Sequence, residues 1–134
     1  MSTEMIKRAK VLVLEDEPII GRVAARTLIS EGYEVEVALN GYAAKNKIDT
    51  NNNYKFMIFD IKTPGINGIQ LYEYMEKVYP ELTEKVIFTT GDSLGEATTG
   101  FLQRVNRPYL NKPYTPLQLI ELIRTAFFPE PAGV

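Results

Sequence analysis

Apolar residues along this chain follow two alternating patterns. Short β-branched runs too apolar to have a solvated face give way to stretches in which apolar residues recur at helical spacing. That alternation predicts a parallel sheet covered on both faces by helices. Residues 11–14 read as the first strand, and Ile19, Ile20, Val23, Ala24, Thr27 and Leu28 mark the helix after it, stopped by Gly32 in a left-handed cap. Residues 34–39 alternate and predict a second, more exposed strand. Asn40 caps a weaker helix running through Ile48, and the polar residues 49–53 read as a surface loop.

Residues 56–59 form the third predicted strand, followed by a loop containing Pro64, Gly65, Asn67 and Gly68. Leu71, Tyr72, Met75, Val78 and Tyr79 fall on one face of a third helix, which Pro80 helps to end. Residues 86–89 predict the fourth strand. Gly95, Thr98, Thr99 and Gly100 are poor helix formers, so the fourth helix is expected to be short or mobile. Tyr109 and Leu110 mark a brief fifth strand, and Thr115 with Pro116 suits the cap and first turn of a last helix carrying Leu119, Ile120, Ile123 and Phe127.

Composition removes several chemistries. The 134 residues fit one domain with one sizeable core, and 45% hydrophobic with 24% charged residues is ordinary for a globular chain. The absence of cysteine excludes disulfides and thiolate chemistry. The absence of histidine excludes histidine-based triads, histidine-ligated zinc and any role as a phosphohistidine donor. A formal net charge of −2 speaks against nucleic-acid binding by a charged face. No apolar run is long enough to span a membrane and none resembles a secretory signal, so a cytoplasmic location is expected.

The remaining polar residues sit where the strands end. Glu15 and Asp16 follow the first strand, Asp60 ends the third, Thr90 and Asp92 follow the fourth, and Lys112 follows the fifth. Parallel strands place all of these at one sheet edge, the usual place for a ligand. Three converging carboxylates repel one another, and a hard divalent cation, for which Mg²⁺ is the best match, makes such a cluster tolerable at neutral pH. A lysine and a hydroxyl facing an ionised Asp60 suit the oxygens of a transferred phosphoryl group.

The strings V-L-V-L-E-D-E-P, F-M-I-F-D-I-K-T-P-G-I-N-G, F-T-T-G-D and Y-L-N-K-P-Y resemble, in order and spacing, the signatures of the response-regulator receiver domains of two-component phosphorelay signalling. The resemblance covers residues 10–128, leaving tails at 1–9 and 129–134. It implies a flavodoxin-like α/β fold with a five-stranded parallel sheet in the order 2-1-3-4-5, two helices on one face and three on the other. It also implies a phosphoacceptor role for Asp60, charged by a histidine kinase or a histidine phosphotransfer protein. Asp16 and Asp60 would ligate Mg²⁺ directly, the Lys62 backbone carbonyl would be a third ligand, and Glu15 would act through water. Thr90 matches the hydroxyl that turns toward the phosphoryl group, Lys112 the lysine that pairs with it, and Tyr109 the aromatic residue of the switch. The peptide before Pro113 is expected to be cis.

Thr63 stands where many receivers carry methionine, a packing change. Lys62 and Asp92 occupy the two positions that modulate dephosphorylation in the family, and a pair between them would hinder the attacking water. Simpler roles compete at single positions: Glu15 and Asp16 could cap the first helix, and Tyr109 could be packing alone. Two other functions compete overall. One is an aspartyl-nucleophile phosphohydrolase resembling the haloacid-dehalogenase phosphatases, which carry D-x-D at the nucleophile, where this chain has Asp60, Ile61 and Lys62. The other is an unphosphorylated receiver-like interaction module, against which the complete set of Glu15, Asp16, Asp60, Thr90 and Lys112 argues. The final strand region looks more like the receivers of hybrid histidine kinases than like free-standing ones.

Overall fold

Alternate residues of each strand point to opposite faces of a sheet, and here that alternation divides the interior in two. The computed structural model describes residues 8–91 and 95–129. In chain order it contains β1 (Lys10–Leu14), α1 (Pro18–Ser30), β2 (Glu34–Ala38), α2 (Gly41–Thr50), β3 (Phe56–Asp60) and α3 (Gly68–Val78). A 3-10 helix (Pro80–Lys85) leads into β4 (Val86–Thr90), α4 (Glu96–Val105), β5 (Tyr109–Asn111) and α5 (Pro116–Phe127). The five strands are parallel in the order β2-β1-β3-β4-β5, as the resemblance implies.

Leu12, Leu14, Met57, Phe59, Val86 and Phe88 face α2, α3 and α4, where they meet Ala44, Ile48, Leu71, Met75 and Phe101. The intervening residues Val11, Val13, Phe56, Ile58 and Ile87 face α1 and α5, against Ala24, Leu28, Leu119 and Ile123. Both faces of β1, β3 and β4 are therefore buried, whereas edge strand β2 is only partly so. Among the described residues no helix is long and apolar enough to cross a membrane.

Helix ends follow the local chemistry read from the sequence. Asn40 accepts a hydrogen bond from the Ala43 N–H, and Thr115 forms a reciprocal capping box with Gln118 after which Pro116 opens α5. Gly32 has φ +96°, a conformation that favours glycine. The acidic pair before α1 does not cap it. Glu17 occupies the cap position without a side-chain cap bond, and the Glu15 carboxylate instead accepts the Glu17 N–H at 3.2 Å.

Four expectations need correction. Helix α2 continues through Thr50, because Asp49 pairs with Lys45 one turn back at 2.9 Å and accepts the hydroxyls of Tyr74 and Tyr79, both at 2.7 Å. Helix α4 is a regular helix of 10 residues, not a short one. Its Phe101 ring meets Phe88 at 5.3 Å and Tyr72 at 5.6 Å, and this aromatic packing outweighs the weak propensity of its threonines and glycine. Ile19 is 70% exposed and Val23 lies at the edge of the buried face, since α1 turns Gly21, Ala24 and Leu28 inward. Val78 is 47% exposed, because the chain leaves α3 there and Leu82 of the 3-10 helix fills the adjacent core.

Candidate functional site

The register of the parallel strands brings the polar residues together. The Glu15 N–H donates to the Ala38 carbonyl at 3.0 Å, the Ile61 N–H to Thr89 at 2.9 Å, and the Lys112 N–H to Thr90 at 2.7 Å. These bonds extend the sheet by one residue beyond its strands and so fix the carriers of the candidate chemistry. Glu15, Asp60 and Thr90 are all buried, and Asp16 is partly buried.

Lys112 is the hub. Its Nζ lies 2.7 Å from Glu15, 2.9 Å from Asp60 and 3.4 Å from Glu17. The peptide that follows, Lys112–Pro113, is cis as expected. Asp60 spreads its two oxygens between partners: Oδ2 accepts from Lys112 and Oδ1 accepts from the Lys62 N–H at 3.3 Å.

One ammonium among these carboxylates leaves negative charge in excess where water is scarce. Burial pushes the Glu15 carboxyl up to about 7, with the Lys112 hydrogen bond opposing and the nearby Asp60 charge reinforcing the shift. Burial also raises Asp60, against the pull of Lys112. For Lys112 burial acts downward, but its hydrogen bonds to Glu15 and Asp60 outweigh it and hold the ammonium charged.

Carboxylate oxygens of Glu15, Asp16 and Asp60 all lie within 4.8 Å of one another. This all-oxygen donor set, overcharged and partly enclosed, fits a hard divalent cation such as Mg²⁺. The structure thus gathers Glu15, Asp16, Asp60, Thr90 and Lys112 at one edge. Lys62 contributes its backbone there, while its side chain is exposed. Asp92, and with it the expected pair to Lys62, lies outside the described residues, as do most residues of the two tails.

Thr90 donates its hydroxyl hydrogen to the Gly91 carbonyl at 3.3 Å. Tyr109 is 40% exposed on β5, level with Phe88 and two residues before the neighbour of Thr90, Asn111. Thr63, where many receivers have methionine, is buried and donates to the Ile66 carbonyl at 3.2 Å, tightening the loop after Asp60. That loop also depends on Gly68: a Cβ there would stand 2.5 Å from the Asp60 carbonyl oxygen.

Sequence reasoning missed two neighbours. Glu17 is a third carboxylate on Lys112, visible in hindsight as the second Glu of E-D-E-P. Tyr114 packs beside the cluster, its hydroxyl pushed up to about 12 by burial and by the Glu15 charge. It follows the K-P pair directly, so its position was legible but its proximity to Glu15 was not.

Comparison with known proteins gives one family. The model of the response regulator receiver domain matches residues 11–124. The chemotaxis protein CheY1 of Helicobacter pylori is 34% identical over 117 residues, covering 84% of this chain and 91% of that protein. The probable transcriptional regulator ycf29 of Porphyra purpurea is 29% identical over 120 residues, and the match spans only 56% of its length. The crystal structure of a CheY-like receiver domain protein from Methanospirillum hungatei superposes with a TM-score of 0.79 at 30% identity, covering 90% of this chain and 94% of that one. The chain belongs to the response regulator receiver domain family.

Proposed function

We propose that this signalling domain takes a phosphoryl group onto Asp60 from the phosphohistidine of a histidine kinase or a histidine phosphotransfer protein. The observation that carries the reading is the Lys112 ammonium shared between Glu15 and Asp60 at the sheet edge. In the transfer an Asp60 carboxylate oxygen bonds to phosphorus and the phosphorus–nitrogen bond of the donor breaks. The electron pair stays on the imidazole nitrogen, which takes a proton from solvent. Lys112 and the Lys62 N–H hold the Asp60 carboxylate plane in place, and Lys112 then faces the negative charge of the bound phosphoryl oxygens.

Asp16, Asp60 and the Lys62 carbonyl would hold Mg²⁺, with Glu15 acting through water. When bound, the ion neutralises phosphoryl oxygens that the carboxylates would otherwise repel. The reading places the domain in the cytoplasm, with a protein as its downstream partner and no nucleic-acid or membrane contact of its own.

The switch follows from Thr90. A phosphoryl group adds charge and strong acceptors beside its hydroxyl, which leaves the Gly91 carbonyl and turns toward them. Tyr109, now exposed, rotates into the space vacated, and the surface of α4 and β5 changes with it.

The test is labelling with acetyl phosphate and Mg²⁺, read by intact-protein and peptide mass spectrometry. One phosphoryl group on Asp60 is expected, with none on Asp60→Asn. Unchanged stoichiometry in Asp60→Asn would overturn the assignment.

A further inference from the structure

The reasoning that gathers carboxylates at one edge of a parallel sheet applies to the other edge with the sign reversed. Three neighbouring strands each open on a lysine: Lys10 begins β1, Lys55 immediately precedes β3, and Lys85 immediately precedes β4. In the sheet these strands lie side by side, so their entrances stand about 4.8 Å apart from one to the next. The register sets Lys10 level with Lys55, since Val11 pairs with Phe56 and the Lys55 N–H donates to the Lys10 carbonyl at 2.7 Å. It sets Lys85 one residue farther along, level with Phe56, since Met57 pairs with Val86.

These three lysines and Arg8 line a cavity of about 880 Å³ on the far side of the molecule from Asp60. Among the described residues, Glu34 is the only acidic one that lines it. Lys10 is neutralised, lying 3.8 Å from Glu34 and 3.3 Å from Glu36. Among the described residues, Arg8, Lys55 and Lys85 have no carboxylate within ion-pair distance. Lys85 is nevertheless positioned, since its Nζ donates to the Tyr54 carbonyl at 3.2 Å. A concentration of positive charge of this kind, on a chain whose net charge is −2, is a field that draws anions to one place.

We propose that this cavity binds a compact polyphosphate group, either free or as the phosphate tail of a nucleotide. The cavity is large enough to admit such a group, and Asn51 and Asn53 in its wall add polar contacts. Recognition rests on the phosphates, because Tyr54, the aromatic residue in the wall, is almost wholly buried and offers no ring face for a base. The site is independent of Asp60 and needs no phosphorylation.

The test is an amide NMR titration of the full chain with tripolyphosphate, ATP and adenosine, in EDTA so that metal-bound polyphosphate does not confuse the result. Saturable shifts are expected at residues 8–10, 34, 51–55 and 85 with tripolyphosphate and ATP, and none with adenosine. Arg8→Gln and Lys55→Gln, neither of which removes a buried contact, should each weaken binding about tenfold, the loss of one charge-assisted contact. Lys77→Gln, exposed on α3, should leave it unchanged, and the same spectra report whether each variant is folded. The proposal is overturned by shifts centred on Glu15, Asp60 and Lys112, by equal weakening in Lys77→Gln, or by no saturation in the millimolar range. Binding of RNA or an acidic peptide without binding of tripolyphosphate would overturn it as well.

Discussion

Glu15 and Glu36 are the same residue type one sheet position from each other's strand, yet the fold treats them in opposite ways. Glu36, on β2, has Lys10 at 3.3 Å and Lys47 at 3.7 Å, and it accepts the Tyr54 hydroxyl at 2.7 Å. That hydrogen bond, more than either lysine, holds its carboxyl below the usual range. Glu15 shares one lysine with Asp60 and Glu17, is more deeply buried, and is pushed up to about 7. Donors and cations exceed anions at the first site, and anions exceed cations at the second. A satisfied carboxylate anchors the fold, whereas an overcharged buried cluster of this kind could hold a cation.

Removing the hub should expose that difference most. Lys112→Met leaves Glu15 and Asp60 buried without their shared cation, and in metal-free buffer at pH 8 we expect a loss of about 3 kcal/mol in urea unfolding. Near pH 5 the loss should shrink, because Glu15 can then take up a proton. Equal destabilisation at both pH values would show that Lys112 contributes packing and little charge.

The two glutamates should also pull stability in opposite directions with pH. For Glu15 the folded carboxyl binds its proton more tightly than the unfolded one. Its contribution is therefore greatest below the unfolded value near 4.5 and is lost as pH rises toward about 7. We expect that metal-free decline to be on the order of 2 kcal/mol, to vanish in Glu15→Gln, and to be reduced by Mg²⁺, which favours the ionised cluster. Chemical unfolding from pH 4.5 to 7.5, with and without the ion, measures it. For Glu36 the sign is reversed: its contribution is present above the unfolded carboxyl value and disappears as pH falls through the lower folded one.

How much of this was legible depends on the range of the interactions. The gathering of Asp16, Asp60, Thr90 and Lys112 could be read from the chain, because it requires only that each parallel strand end where its apolar run ends. The strand order was implied by the resemblance to receiver domains and not by the periodicity. The length of helix α4 was underestimated because its threonines speak locally, while Phe101 is held by Phe88 and Tyr72 from distant parts of the chain. Asp49 looked like a loop residue for the same reason, since its partners Tyr74 and Tyr79 belong to α3 and its C-terminal cap. The sharing of Lys112 with Glu17 is a matter of side-chain reach, which strand periodicity does not encode.

Tyr54→Phe tests the satisfied side of the comparison. It removes one hydroxyl from a buried ring and leaves Glu36 its two lysines, so we expect a loss of about 1 kcal/mol. The Glu36 carboxyl should rise toward the ordinary range, a change visible in its side-chain carboxyl carbon during an NMR pH titration. A carboxyl that stays low would make the lysines, not the hydroxyl, its chief support.

Lys10→Gln should give the smallest effect and the sharpest contrast with Lys112. Lys10 bridges Glu34 and Glu36 much as Lys112 bridges Glu15 and Asp60, but its side chain is 27% exposed where that of Lys112 is 10% exposed. Water already screens the Lys10 pairs, and Glu36 keeps the Tyr54 hydroxyl and Lys47 after the substitution. We therefore expect a loss of about 0.5 kcal/mol that fades as salt is raised, against about 3 kcal/mol with little salt dependence for Lys112→Met. Unfolding midpoints of both variants at low and high ionic strength make the comparison directly. If Lys10→Gln costs as much as Lys112→Met, two lysines at opposite edges of one sheet are equally structural, and the excess of negative charge around Asp60 has no special place in the energetics of this domain.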